Sequence, residues 1–265
     1  MRNRWFIALA AIGLHISIGS VYAWSVLTRP IMADMGFTLS QTTWTFSLAI
    51  LMLGLSAGFL GSFAEKIGPK KSGLLAMLFW VTGLLGTAYA LSIHNLTLLY
   101  LFYGIIGGIG LGIGYITPVS TLVKYFPNRP GFATGLAIMG FGFASLIAGP
   151  LMQYLVAQVG LVDTFIILGV IYLVIMGASS LYLKAPQPKH PTRTTKDKSA
   201  MYVHTHGMLA NDAMKTWQFG ALWWVFFINI TCGIGLLSLA SPMAQEAIGM
   251  TPAAAASLVG IIGIF

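Results

Sequence analysis

Tyrosine hydroxyls set in apolar surroundings are the groups in this chain with chemistry to offer. Ser20, Tyr22, Trp24 and Ser25 cluster in the first apolar run, Gly114-Tyr115-Ile-Thr117-Pro118 closes the fourth, and Phe141 and Phe143 stand between glycines in the fifth. A tyrosine hydroxyl can donate to the oxygens of a small anion while the rings wall the anion off from water. Membrane proteins also use Tyr and Trp as interfacial belts and packing, and residue type alone does not choose between the two uses. His15 is the one ionisable candidate inside the first run. A lone histidine there is read first as a hydrogen-bonded packing residue and second as a relay. No Asp, Glu, Lys or Arg lies in the long apolar runs away from their ends, so the usual intramembrane markers of proton paths and counter-ions are absent.

The glycines suggest packing. Gly104, Gly107, Gly108, Gly110, Gly112 and Gly114 share one run, but a phosphate-cradling loop needs a preceding strand, and none is present. Gly104-x-x-x-Gly108-x-x-x-Gly112 instead makes a flat face that lets another helix approach closely. The fifth run repeats the theme with Gly131, Gly135, Gly140, Gly142 and Gly149-Pro150.

The elements that must hold these residues follow from hydropathy. The chain is 57% hydrophobic and 8% charged, with mean hydropathy +0.84, where a soluble domain carries about a quarter charged residues. Apolar runs long enough to cross a bilayer predict helices over about 5–27, 41–63, 73–92, 98–123, 131–157, 164–183 and 219–240, with an eighth from near Pro252. The fold class is an all-α polytopic membrane protein. The first run follows Arg2 and Arg4 without a small-residue cleavage site and reads as a retained helix. The single Cys232 excludes an internal disulfide and packs as a small hydrophobe.

Basic residues orient the chain. With the N-terminus inside, thirteen of the fourteen Lys and Arg fall on the cytoplasmic side and only Arg29 outside, as the positive-inside rule requires. The net charge of +8 therefore reports topology and no nucleic-acid partner. Residues 184–218 are rich in Pro, Lys, Thr and His and read as a cytoplasmic linker between a bundle over 1–183 and the start of a second over 219–265. His204 and His206 lie in it without carboxylates or cysteines beside them, and no metal site or cofactor is expected. Pro30 to Gly36 and Thr38 after the first helix is echoed by Pro242 to Gly249 and Thr251 after the seventh, with one residue inserted. A duplicated six-helix unit would place the echo there, although short loops can also match by chance.

Between the second and third helices lies a polar break, Gly61-Ser-Phe-Ala-Glu65-Lys66-Ile-Gly68-Pro-Lys70-Lys71. It resembles the loop of the major facilitator superfamily whose pattern is Gly-x-x-x-Asp-Arg-x-Gly-Arg-Arg/Lys, matched here by Gly61, Glu65, Lys66, Gly68, Lys70 and Lys71. The departures are Glu for Asp, Lys for Arg, and Pro69. Glu65 has Lys66, Lys70 or a helix end as candidate partners. Gly140 and Gly149-Pro150 partly resemble the Gly-Pro motif of the fifth helix in antiporting members. The resemblance implies a six-helix N-terminal bundle plus the start of a second.

A closer resemblance is to the oxalate/formate antiporter family. It rests on Asn3-Arg-Trp-Phe6, Tyr22-Ala-Trp24-Ser25, Pro30, Gly112-Ile-Gly-Tyr115, Tyr125-Phe-Pro127, Gly131-x-Ala133-x-Gly135 and Gly140-Phe-Gly142. It implies that Tyr22, Tyr115 and Phe141, with Trp24 beside them, contact a small carboxylate. Phe141 lacks a hydroxyl, and Val21 stands where the oxalate transporter has a glutamine, which favours a less polar monocarboxylate such as pyruvate, lactate or formate over oxalate. The family's charge-balancing basic residues lie in helices beyond Phe265. The implied activity is secondary active transport by alternating access in a prokaryotic-type plasma membrane, with the lipid bilayer as solvent and a monomer as the full-length state. The eighth helix stops at Phe265 without a polar end, so the chain reads as truncated. The rivals are a non-transporting half-transporter and a membrane-embedded lipid-modifying enzyme. The acidic residues Asp34, Glu65, Asp163, Asp197, Asp212 and Glu246 are too isolated for the enzyme.

Overall fold

The computed structural model describes residues 3–186 and 210–263. His204 and His206, and most of the polar linker, lie outside the described residues. Eight helices carry the architecture: α1 (Arg4–Met35), α2 (Leu39–Ile67), α3 (Pro69–Ser92), α4 (Leu96–Tyr125), α5 (130–159), α6 (161–182), α7 (Trp217–Ala247) and α8 (Pro252–Ile262). A further short turn spans Ala210–Ala213. Among the described residues six helical spans are long and apolar enough to cross a membrane. One of them, Pro130–Tyr182, is broken at Gly160, which divides it into α5 and α6. The all-helical membrane architecture expected from hydropathy is present, and no strand occurs among the described residues.

Sequence sets the ends. The Asn3 side chain accepts from Trp5 N at 3.0 Å, and the Asn95 side chain from Leu98 N at 3.0 Å. Proline opens α3, α5 and α8, where its missing N–H costs nothing. At the head of α2 the Thr38 hydroxyl accepts from Gln41 N, and the Gln41 side chain accepts from Thr38 N at 2.9 Å, forming a capping box. Thr38→Ala is expected to lower stability by about 1 kcal/mol, read as a lower thermal unfolding midpoint in detergent. An unchanged midpoint would mean that this end frays in the native protein.

The echo noted in the sequence is a structural one. α1 ends at Gly36 with φ +68°, followed by Thr38 as N-cap; α7 is followed by Gly249 with φ +66° and by Thr251, whose hydroxyl caps α8 by accepting from Ala254 N. Left-handed glycine and capping threonine thus stand two residues apart in both turns, and each preceding helix carries an internal proline, Pro30 or Pro242.

The links inside the bundle are shorter than the sequence suggests. The polar break after Gly61 is not an open loop: α2 runs on to Ile67, α3 starts at Pro69, and Gly68 alone is non-helical. Gly61, Glu65 and Lys66 therefore lie on the last turns of α2, and Lys70 and Lys71 on the first turn of α3. Charged residues at a helix end remain helical as long as water or a partner reaches them, which the sequence contrast alone does not reveal. Likewise Arg29, expected in a loop, sits on α1, which continues until Gly36 terminates it.

Small residues bring the helices together. The face Gly104, Gly108 and Gly112 of α4 lies on α2, where an added Cβ would meet Leu48 Cβ at 2.9 Å, Ala49 O at 2.8 Å and Ala57 N at 2.8 Å respectively. Gly107 and Gly110, on another face of α4, receive α3 at Trp80. α4 also contains a π-helical stretch, Tyr100–Gly107, which carries Phe102 against Gly83 and Gly86 of α3. Contacts divide the chain into two units, one holding the chain to Pro186 with Leu237 onward, the other Gln187–Leu236. In the second unit the α7 residues Trp223 and Phe227 stack at 5.0 Å, and Trp223, Trp224 and Phe227 are exposed. In the first, Val26, Leu237, Ala240, Ala256 and Val259 form a small core that Tyr22 packs against.

Candidate functional site

Three helices deliver one aromatic cluster. α1 loosens into a 3-10 turn over Ser20–Ala23, and Tyr22 in that turn meets the Phe141 ring of α5 edge-on at 4.8 Å. Tyr115 of α4 meets the same Phe141 ring at 5.5 Å, again edge-on. His15, about two turns before Tyr22 in helical register, stacks on Tyr115 at 5.5 Å and meets Phe141 at 5.9 Å. Edge-to-face contacts suit the ring quadrupoles, so Phe141 is the hub and the two tyrosines and the histidine surround it. Among the described residues the hydroxyls of Tyr22 and Tyr115 find no hydrogen-bond partner, and both residues are only partly buried.

The crossing of α1 and α5 fixes the hub. At Gly19 an added Cβ would collide with the Phe141 carbonyl oxygen and come within 2.7 Å of Ala144 Cβ, and at Gly140 it would lie 3.3 Å from His15 Cβ. Gly19 escaped the sequence reading because the other glycine of its run, Gly13, stands six residues away, without the four-residue spacing that marks a packing face. At Gly149 of the Gly-Pro pair an added Cβ would lie 2.8 Å from Ala256 O of α8, and Pro150 follows inside α5. The glycines called Gly140 and Gly149 therefore set the seats of α1 and α8 on α5.

Trp24 is placed elsewhere. It is fully buried, with its ring 4.3 Å from Tyr103, and Tyr103 continues to Trp80 and Phe165. Residues two apart on a helix point away from each other, so Tyr22 and Trp24 serve different clusters. Val21 is buried as well.

His15 has no solvent exposure, and both of its ring nitrogens face main-chain carbonyls: Nδ1 is 2.6 Å from Ala137 O and Nε2 is 3.0 Å from Tyr115 O. It is hydrogen-bonded, as the packing expectation required.

Two ion pairs mark opposite ends of the bundle. Glu65, near the end of α2, is bound by Lys124 of α4 at 3.1 Å, a partner that neither Lys66 nor Lys70 supplies. Gly61 permits that approach, since an added Cβ would lie 2.9 Å from Ile116 Cδ1 of α4. A small pocket beside the pair is lined by Glu65, Gly68, Thr117, Thr121, Lys124 and Pro186. At the other end Arg29 of α1 donates to Glu246 at 2.8 Å and to Gln245 at 3.3 Å, both on α7. Among the described residues no three His, Cys, Asp or Glu side chains come together as a metal site would require.

The sequence profile described as Major Facilitator Superfamily matches residues 6–265. The chain belongs to this superfamily. Among its relatives, an uncharacterized MFS-type transporter, YhjX, of Escherichia coli strain K12 is 29% identical over 99% of this chain and 63% of its own length. The oxalate:formate antiporter of Oxalobacter formigenes is 26% identical over 90% of this chain and 54% of its own. A D-xylose-proton symporter of known crystal structure superposes with TM-score 0.66 at 15% identity, over 98% of this chain and 66% of its own, which shows the shared fold. This member of the major facilitators thus spans between about half and two thirds of the length of these two curated relatives. The family and the named relatives are transporters rather than enzymes, and the chain is an integral membrane protein by its family and its apolar helices.

Proposed function

We propose that this chain forms the first bundle of a secondary transporter for small organic carboxylates, with Tyr22 and Tyr115 as donors and Phe141 as the apolar wall between them. The observation that carries the reading is the convergence of the Tyr22 ring from α1 and the Tyr115 ring from α4, their hydroxyls uncommitted, on one ring of α5, in a cluster whose one basic member is His15. A carboxylate can take a hydrogen bond from each hydroxyl while its carbon end rests on Phe141. With two donors and an apolar wall, the site suits a monocarboxylate such as pyruvate, lactate or formate better than oxalate. Trp24 takes a supporting part, holding α1 against Tyr103 of α4. The relative named as an oxalate:formate antiporter supports the carboxylate class. In this reading Glu65–Lys124 fastens the end of the bundle that faces the cytoplasm, and alternating access opens each end in turn. Exchange is the mode that the antiporting relative favours.

Tyr115→Phe tests the site. Loss of one hydrogen bond to a charged group is expected to raise the dissociation constant about tenfold, measured with radiolabelled pyruvate, formate and oxalate on purified protein. The ring and its stacking on His15 survive the change, so an unaltered constant would return Tyr115 to packing.

A further inference from the structure

A carbonyl oxygen only accepts, and a neutral imidazole offers one N–H and one lone pair. Neutral His15 therefore satisfies Ala137 O or Tyr115 O and turns a lone pair toward the other, although both lie within hydrogen-bond distance. Only the imidazolium donates to both. An imidazolium buried without a counter-charge is costly, and among the described residues the neighbours of this ring supply none. α4 presents Tyr115, the one titratable group stacked on it; α5 presents Phe141 and main chain; the adjacent turn of α1, at Gly13, meets Ser179 of α6; Tyr22 on α1 shares the Phe141 ring. The missing negative charge belongs to the ligand.

Building on the carboxylate reading above, we propose that His15 is a proton-binding site filled together with the anion. As a carboxylate settles between Tyr22 and Tyr115, a proton from water joins the free ring nitrogen, the second carbonyl contact becomes a hydrogen bond, and the pair of ligand and proton is electrically neutral. When the anion leaves, the proton leaves with it and one of the two carbonyl contacts is released. Protonation thus ties α1 to α4 and α5 together, and deprotonation unties it from one of them. By reciprocity, proton and carboxylate raise each other's affinity. Unit charges an aromatic ring's width apart couple on the order of a hundredfold at the dielectric of a protein site.

The test uses the full chain, purified in detergent, with pyruvate as probe and a range of about pH 5.5 to 8, where pyruvate stays ionised. Pyruvate affinity is expected to rise about tenfold for each unit fall in pH through the coupled window. The His15 ring signals in 15N-histidine spectra, assigned by their loss in His15→Gln, should move to imidazolium positions as pyruvate is added. His15→Gln should lose the acid enhancement and bind on the order of a hundredfold more weakly than wild type at the acidic end. A His15 ring that stays neutral under saturating pyruvate would overturn the proton site while leaving the carboxylate site standing. So would an undiminished pH profile in His15→Gln. Failure of the wild-type chain to bind any carboxylate at any pH would overturn the underlying reading instead. If the glutamine variant does not fold, the wild-type binding profile still decides, because pyruvate affinity that fails to rise toward low pH would overturn the proton site.

Discussion

Replacement of Gly112 by valine is expected to leave little correctly folded protein. At this position α2 and α4 touch through their backbones: an added Cβ collides with the Ser56 hydroxyl and the Leu53 carbonyl and lies 2.8 Å from Ala57 N. A long side chain can swing aside, but two turns of main chain cannot, and Gly108 one turn earlier is seated as tightly, 2.6 Å from Met52 Cβ and 2.8 Å from Ala49 O. The whole of α4 would have to lift from α2. The cost is on the order of 3 kcal/mol, a large share of a domain's stability. Size-exclusion profile and the midpoint of denaturant unfolding in detergent are the readouts. Gly135→Val is the control, because nothing lies within 4 Å of a Cβ there, and it should leave both readouts near wild type. Equal behaviour of the two variants would refute the backbone contact between α2 and α4.

Gly68→Val is expected to slow transport on the order of tenfold while carboxylate binding changes little. Gly68 is the only residue between α2 and α3, and its φ of +83° with ψ of 161° falls in a region that essentially only glycine occupies, at a cost of about 1–3 kcal/mol for other residues. Nothing crowds the position, so the penalty is purely conformational. The chain relieves it by shifting the turn, which displaces Glu65 three residues upstream and loosens its contact with Lys124. Tyr115 lies about two and a half turns of α4 before Lys124, and the aromatic cluster keeps its geometry. Initial uptake rates in proteoliposomes, set beside equilibrium binding, separate the two effects. Turnover equal to wild type would remove the fastening role of this end.

The spans were legible in the sequence because hydropathy over some twenty residues is a strong signal, and the meeting face Gly104, Gly108 and Gly112 was legible because its spacing is helical. The single-residue links were not. Gly160 joins α5 to α6 with φ 81° and ψ 177°, nearly the geometry of Gly68, yet it sits in an apolar stretch without the charges that drew attention to the earlier link. Tyr22, Tyr115 and Phe141 could be put together only through resemblance to a family, since 119 positions of chain separate the first from the last and no local rule joins them. For Trp24 the signal was present: two residues from Tyr22 on a helix, it had to face the other way. The two carbonyls around His15 were illegible, because main-chain atoms have no letter in the sequence and become partners only when α4 and α5 are set in place.

The Arg29–Glu246 pair is exposed to solvent, at 40% and 66% of the side-chain surface, and it links the first helix of the bundle to the end of α7. Salt at physiological strength screens such charges beyond about 8 Å, and stronger salt screens them at shorter range. The pair at the Glu65 end bathes in a different compartment once the protein spans a bilayer. Each ion pair then responds to the ionic strength of its own side, so that the solution outside a vesicle weakens one pair and the solution inside weakens the other.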